Sequence, residues 1–227
     1  MGFELPTKED LEFYNFTVIG LIGSAGSGKS TVARYIKRKY KAKWLDFATP
    51  IRDMLVAFDL SRNRPNSSKL LEINSKNLTA QDAKHNQLEL AGVNSGITTR
   101  TLLQKLGTEF GRNIIDENLW VMKLYDTIYR DVNPDNTELI IIDGIRFNNE
   151  VEFINRFPRH AFLSVGRDSN EATLTETELK HLSESGVDWG LIATKDIYPI
   201  DNSGALADTY MDVDAIMYDL GIKKGGK

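Results

Sequence analysis

Residues 16–30 read Phe-Thr-Val-Ile-Gly-Leu-Ile-Gly-Ser-Ala-Gly-Ser-Gly-Lys-Ser, an apolar run of strand formers that empties into Gly23-x-x-x-x-Gly28-Lys29-Ser30. Behind it, Val32, Ala33, Ile36 and Tyr40 recur at helical spacing. A strand, a glycine-rich turn and a helix in immediate succession predict an α/β core with a phosphate-binding loop at its edge. The chemistry follows from what a triphosphate needs. Glycines at 23, 26 and 28 let successive backbone N–H groups turn inward, and Lys29 brings a compact positive charge to the β and γ phosphates. Ser30 offers a hydroxyl to Mg²⁺, and the helix lends its positive end. The phosphates are expected on Ser24, Gly26, Ser27, Gly28, Lys29, Ser30 and Thr31, with ATP and Mg²⁺ as the implied ligands.

The rest of the chain alternates between strand and helix patterns, which points to a three-layer α/β/α fold around a five-stranded parallel sheet. Strands are expected at 16–22, 42–47, 139–143, 160–165 and 191–194. Helices are expected over 50–58, with Pro50 in the first turn, over 99–111, 117–131 and 146–156, and on the face formed by Leu206, Tyr210, Val213, Met217 and Leu220. Residues 60–96 change character toward Asn, Ser, Lys and Gln, with one helical pattern at 80–90. They read as an insertion in a single α/β domain whose core is 16–59 and 97–222. The polar, hydroxyl-rich stretch 168–186 reads as a lid that closes over the nucleotide and excludes water, or as an ordinary surface helix over 171–185.

Leu139-Ile-Ile-Ile-Asp143 is an apolar strand with a carboxylate at its carboxyl end, where ligands gather in open α/β sheets. Asp143 is the expected second Mg²⁺ residue beside Ser30. Transfer of a phosphoryl group also needs cations, and Arg52, Arg100, Arg112, Arg146 and Arg167 all stand at element ends. A GTPase is excluded because no guanine box is present: Thr194-Lys195-Asp196 places its Asp one residue too early. A net charge of −4 argues against a nucleic-acid partner. With no cysteine there is no thiolate nucleophile, and no stretch approaches the roughly 18 apolar residues of a membrane span. A soluble, cytoplasmic enzyme acting on small phosphorylated ligands is the expectation.

Four further blocks make the reading more specific. They are Arg100-Thr-Leu-Leu-Gln-Lys-Leu-Gly107-Thr108-Glu-Phe-Gly-Arg112 followed by Asn118-Leu-Trp120-Val, then Asp46-Phe47-Ala-Thr-Pro-Ile-Arg52, Arg146-Phe-Asn-Asn-Glu150, and His181-Leu-Ser-Glu184. Together with the phosphate loop they resemble the deoxynucleoside monophosphate kinases of tailed bacteriophages, a nucleoside monophosphate kinase-like P-loop family, over about residues 16–220. The resemblance implies phosphorylation of a deoxynucleoside monophosphate by ATP in the host cytoplasm, and suggests a homodimer. It implies that Arg100, Gly107, Thr108 and Trp120 line the monophosphate pocket, with Asp46, Phe47, Arg52 and Arg112 on the acceptor side and Arg146 and Glu150 facing the same substrate. Lys29, Asp143, Arg146 and Arg167 would carry catalysis. One departure stands out: the family pattern Asp-x-Arg-x-x-x-Glu meets Gly144 at its first position here, with the acid one residue earlier at Asp143.

Two other readings stay open on the residues alone. A kinase with a hydroxyl acceptor, such as a dephospho-CoA or nucleoside kinase, would use a carboxylate at the end of the second strand as base, and Asp46 stands there. An ATP-sensing module without turnover would use the 60–96 segment as a partner surface.

Overall fold

In the computed structural model, residues 4–24, 26–57, 87–90, 93–167 and 187–225 are described. The expected lid at 168–186 and most of the 60–96 insertion lie outside them. The chain divides into two compact units, Leu5–Phe47 with Leu124–Lys227, and Met1–Glu4 with Ala48–Lys123.

The first unit opens with the short helix α1 (Lys8–Leu11) and is built on a five-stranded parallel sheet of β1 (Thr17–Ile22), β2 (Lys43–Asp46), β5 (Leu139–Asp143), β6 (His160–Gly166) and β7 (Ile197–Asp201), ordered β2-β5-β1-β6-β7. Val18 pairs with Ile140 on one side and with His160 on the other, so β1 lies at the centre. Both faces are covered, which is why β1 and β5 are buried along their whole lengths and carry continuous apolar runs rather than an alternation. On one face Ile19, Leu21, Ile141, Leu163 and Ile200 join Val32, Ala33 and Ile36 of α2 (Lys29–Lys39) and Val213, Ile216 and Met217 of α7 (Leu206–Asp219) in a single core. The alternate positions of the strands, such as Val18, Ile140, Ile142 and Phe162, are buried on the other face. There α6 (Asn148–Asn155) runs against β1 and contributes buried Val151, Phe153 and Ile154.

Two expected elements differ. The last strand lies at Ile197–Asp201 rather than 191–194, where the chain instead makes short 3₁₀ turns at Trp189–Leu191 and Thr194–Asp196. Pro199 hides this strand from a propensity reading, yet it is tolerated because β7 is an edge strand paired with β6 alone. The 80–90 helical pattern is overturned at its end: Gln87–Leu90 is strand β3, paired antiparallel with β4 (Val93–Thr98), and 80–86 lie outside the described residues. Antiparallel pairing with β4 has overridden local helical spacing.

The second unit contains α3 (Thr49–Ala57), the β3–β4 hairpin, and α4 (Thr99–Gln104), which widens into a π-helix over Lys105–Ile115. Helix α5 (Leu119–Asp131) follows and carries the chain across the division between the units. Gly107 and Gly111 fall one turn apart in the widened segment. The Trp120 indole lies on them: its Nε1–H donates to the Gly107 carbonyl at 2.7 Å, and a Cβ added to Gly111 would stand 2.2 Å from the ring.

In the first unit, α2 and α7 are joined by a polar cluster at one end. Asp214 accepts from Tyr35 Oη at 2.9 Å, Tyr40 Oη at 2.7 Å and Lys39 Nζ at 2.5 Å, and Tyr35 stacks on Tyr210 with centroids 3.9 Å apart. Burial pushes the Asp214 carboxyl up, but the three donors outweigh it and hold the group below its ordinary range.

Because the folded value lies below the unfolded one, the contribution of Asp214 is present above the ordinary carboxylate range and is lost as pH falls through it. Asp214→Asn should therefore lower the melting temperature at pH 7, and the gap from wild type should close below about pH 4; a gap that persists at low pH would contradict the assignment. For the glycine–tryptophan contact, Gly111→Ala overpacks a buried ring and should destabilise by about 1–3 kcal/mol, read by chemical denaturation with Trp120 fluorescence. An unchanged midpoint would show that the ring is not seated there.

Candidate nucleotide-phosphate site

The carboxyl edge of the sheet is where the strand connections on the two sides of β1 diverge, the usual position for a ligand crevice in open α/β sheets. The phosphate loop leaves β1 there and enters α2. Gly28 occupies the N-cap position with φ of 103°, a left-handed conformation that residues with a Cβ rarely adopt, and it supplies no capping side chain. No acidic residue stands in the first turn of α2. The Gly28 carbonyl accepts from Thr31 and Val32 N–H at 2.8 and 3.1 Å, so the helix begins tightly at the loop. Among the described residues, a Cβ on Gly26 would meet nothing within 4 Å, so none of them closes the loop on that side. An uncapped, acid-free helix start beneath an open glycine loop is suited to a polyanion.

Lys29 is folded back over this loop, with Nζ donating to the Gly23 and Ser24 carbonyls at 2.6 and 2.8 Å. The ammonium is thereby held at the rim of the anion-binding turn. Ser30 and Thr31 follow in the first helical turn, half-buried. The loop residues expected from sequence, Ser24 and Gly26 to Thr31, thus fall in one short segment.

Beside the loop, β2 and β5 end in register, Asp46 opposite Asp143. Asp143 is 8% exposed and its Oδ1 accepts from the Gly144 N–H at 2.7 Å. Gly144 has φ of 80°, and a Cβ there would stand 2.6 Å from Asp46 Oδ1. This gives the departure from the family pattern a physical reason: the position must be glycine for the Asp46 carboxylate to rest against it. Ser30 and Asp143 are hard oxygen donors, and among the described residues no group of three or more His, Cys, Asp or Glu is gathered. Mg²⁺ fits such a set, since it favours one or two protein oxygens with water and phosphate completing its octahedron.

Arg146 is exposed just before α6, and its backbone N–H and that of Phe147 both donate to Glu150 Oε2, at 2.6 and 3.1 Å. Buried Glu150 therefore caps α6 and fixes the turn that presents Arg146. Arg167 is exposed at the end of β6, and Phe47 is buried directly after β2. In the other unit, Arg52 donates to Thr49 Oγ1 at 2.9 Å, and Arg112 donates to the Glu117 carbonyl at 2.8 Å. Thr108 is exposed, Gly107 and Trp120 are buried, and Arg100 lies in α4. The expected site residues thus fall into two groups, one at the sheet edge and one on the helices of the second unit.

Sequence reasoning missed Asn202 and Thr209. Asn202 Nδ2 donates to the Ser27 carbonyl at 2.8 Å, and the Thr209 hydroxyl donates to Asn202 Oδ1 at 3.1 Å. In sequence, Asn202-Ser-Gly reads as a turn, and nothing local marks the asparagine as buried.

The pattern that defines the deoxynucleotide monophosphate kinase family matches residues 66–213, well over half of the chain. A deoxynucleoside-5'-monophosphate kinase of Escherichia phage T5 is 34% identical over 97 residues, covering 40% of this chain and 35% of that protein, so the match spans about a third of the relative's length. Among solved structures, shikimate kinase from Bacteroides thetaiotaomicron aligns with a TM-score of 0.46 at 14% identity, over 90% of this chain and 98% of that one. A gluconokinase from Sinorhizobium meliloti aligns at 0.42 and 12% identity, over 92% and 97%. With its phosphate loop at the sheet edge and the family pattern running through both units, the chain belongs to the deoxynucleotide monophosphate kinase family.

Proposed function

We propose that the protein transfers the γ-phosphoryl group of ATP directly to the phosphate of a deoxynucleoside monophosphate, yielding ADP and a deoxynucleoside diphosphate. The observation that carries the reading is the uncapped, acid-free start of α2 with Lys29 at the loop rim, in a chain of this family. A nucleoside monophosphate has a second phosphate pKa of about 6 and is largely a dianion at neutral pH. It attacks without a general base, so catalysis reduces to aligning two anions and offsetting their charge. Lys29 and the backbone N–H groups of 26–30 would hold the donor phosphates, and Arg146 and Arg167 would meet charge on the transferred group. Mg²⁺, held by Ser30 and through water by Asp143, would screen the phosphates when bound. The acceptor residues are those the resemblance implies: Asp46, Phe47, Arg146 and Glu150 in one unit, and Arg52, Arg100, Gly107, Thr108, Arg112 and Trp120 in the other. Glu150 would act by fixing the Arg146 turn, and Trp120 by holding the Gly107–Gly111 segment.

Asp46 keeps the hydroxyl-acceptor reading as a second possibility, because its carboxylate stands at the end of β2 beside Asp143. The two readings part on one variant. Asp46→Asn should cost a hydroxyl kinase roughly 10²–10⁴-fold in kcat, whereas a monophosphate kinase should lose mainly acceptor affinity, seen as a raised KM.

The decisive assay is ADP release from ATP and Mg²⁺ with each common deoxynucleoside monophosphate, ribonucleoside monophosphate and dephospho-CoA. Stimulation by one or more deoxynucleoside monophosphates is expected, falling roughly 10²–10³-fold in Lys29→Ala. Stimulation by ribonucleoside monophosphates alone, by dephospho-CoA alone, or by nothing, would overturn the proposal.

A further inference from the structure

Asn202 follows β7 directly and is 7% exposed, a buried polar residue at the sheet edge. Its backbone N–H donates to the Gly166 carbonyl at 2.8 Å, extending the β6–β7 ladder by one rung. Its side chain uses both of its functions. Nδ2 donates to the Ser27 carbonyl at 2.8 Å, and Oδ1 accepts from Thr209 Oγ1 at 3.1 Å, with Thr209 fully buried in α7. The amide also fills the space next to Gly28, where a Cβ would stand 2.1 Å from Nδ2. A chain of contacts thus runs from the C-terminal helix through the last strand to the middle of the phosphate loop.

The consequence lies in peptide geometry. In a planar trans peptide the carbonyl and the following N–H point in opposite directions. Holding the Ser27 carbonyl against Asn202 therefore aims the Gly28 N–H away from Asn202, where it is left to an anion in the loop. We propose that Asn202, locked by Thr209, is a positioning residue that fixes the Ser27–Gly28 peptide in its phosphate-binding orientation. This rests on the reading of the loop as the ATP site. Only an amide meets both demands: aspartate has the same shape but no donor, and would set a carboxylate oxygen against the Ser27 carbonyl.

The test measures MgATP binding by calorimetry, the KM for the monophosphate, and the melting temperature without nucleotide. The proteins are wild type, Asn202→Asp, Thr209→Val, Thr209→Ser and Lys29→Ala. Asn202→Asp should weaken MgATP about tenfold or more while the monophosphate KM stays unchanged. Thr209→Val should weaken MgATP in the same direction by a smaller factor, and Thr209→Ser, which keeps the hydroxyl, should restore it. Wild-type MgATP affinity in both Asn202→Asp and Thr209→Val, with Lys29→Ala impaired, would overturn this inference and leave the ATP site standing. Equal losses for both substrates, tracking a lowered melting temperature, would also overturn it. A wild type that binds no MgATP would overturn both readings. If Asn202→Asp does not fold, the Thr209 pair decides: loss in Val with recovery in Ser supports positioning, and equal affinity in both refutes it.

Discussion

Among the described residues, no side chain caps the start of α2. Four N–H groups at such a terminus lack intrahelical partners, and most helices meet them with a side-chain cap or a first-turn acid. Here the N-cap is a left-handed glycine and the first turn carries Lys29 instead of a carboxylate. That choice works against stability unless an anion is the intended partner, and the surrounding structure is arranged to keep the terminus in place. The central strand feeds it, the core packs Val32, Ala33 and Ile36 beneath it, and Asp214 ties the far end of the same helix to α7. Asn202 and Thr209 brace the loop from the last strand and the same C-terminal helix. Helix α7 is therefore tied to both ends of α2, by Asp214 at the far end and through Thr209 and Asn202 at the phosphate loop.

The carboxylates at the sheet edge close two neighbouring strands on one side of β1. Asp46 and Asp143 close adjacent strands, and Gly144 leaves the room in which Asp46 rests. The acid of the family pattern is thus displaced by one residue in sequence, while a carboxylate is retained at the end of β5. Glu150 shows a different economy: the buried carboxylate spends its hydrogen-bonding capacity on the turn that carries Arg146, leaving the guanidinium exposed at the edge.

What could be read from sequence was whatever depends on near neighbours. The phosphate loop was legible because its glycines, lysine and helix form one contiguous segment, and β5 because a doubly covered parallel strand shows a continuous apolar run, here Leu139 to Ile142. Elements decided by distant partners were not. Strand β7 contains Pro199 and is a strand only because β6 supplies its ladder, and Gln87–Leu90 follows helical spacing until β4 pairs with it. Trp120 illustrates the same limit within the candidate site. Its block marked it as important, but only the fold reveals that its N–H is used by Gly107 and its ring by Gly111. Asn202 left no trace, since the burial of a polar side chain is created by tertiary pairing and not by its own sequence context.

The central claim is that the open end of α2 binds a nucleoside triphosphate whose terminal phosphoryl group passes to a second phosphate. Phosphorus NMR of the protein with ATP, Mg²⁺ and a deoxynucleoside monophosphate follows that group directly. The account predicts ADP and a deoxynucleoside diphosphate appearing in equal amounts, with the monophosphate signal consumed in step. ATP converted to ADP and inorganic phosphate with the monophosphate untouched, or no change in either nucleotide, would contradict it.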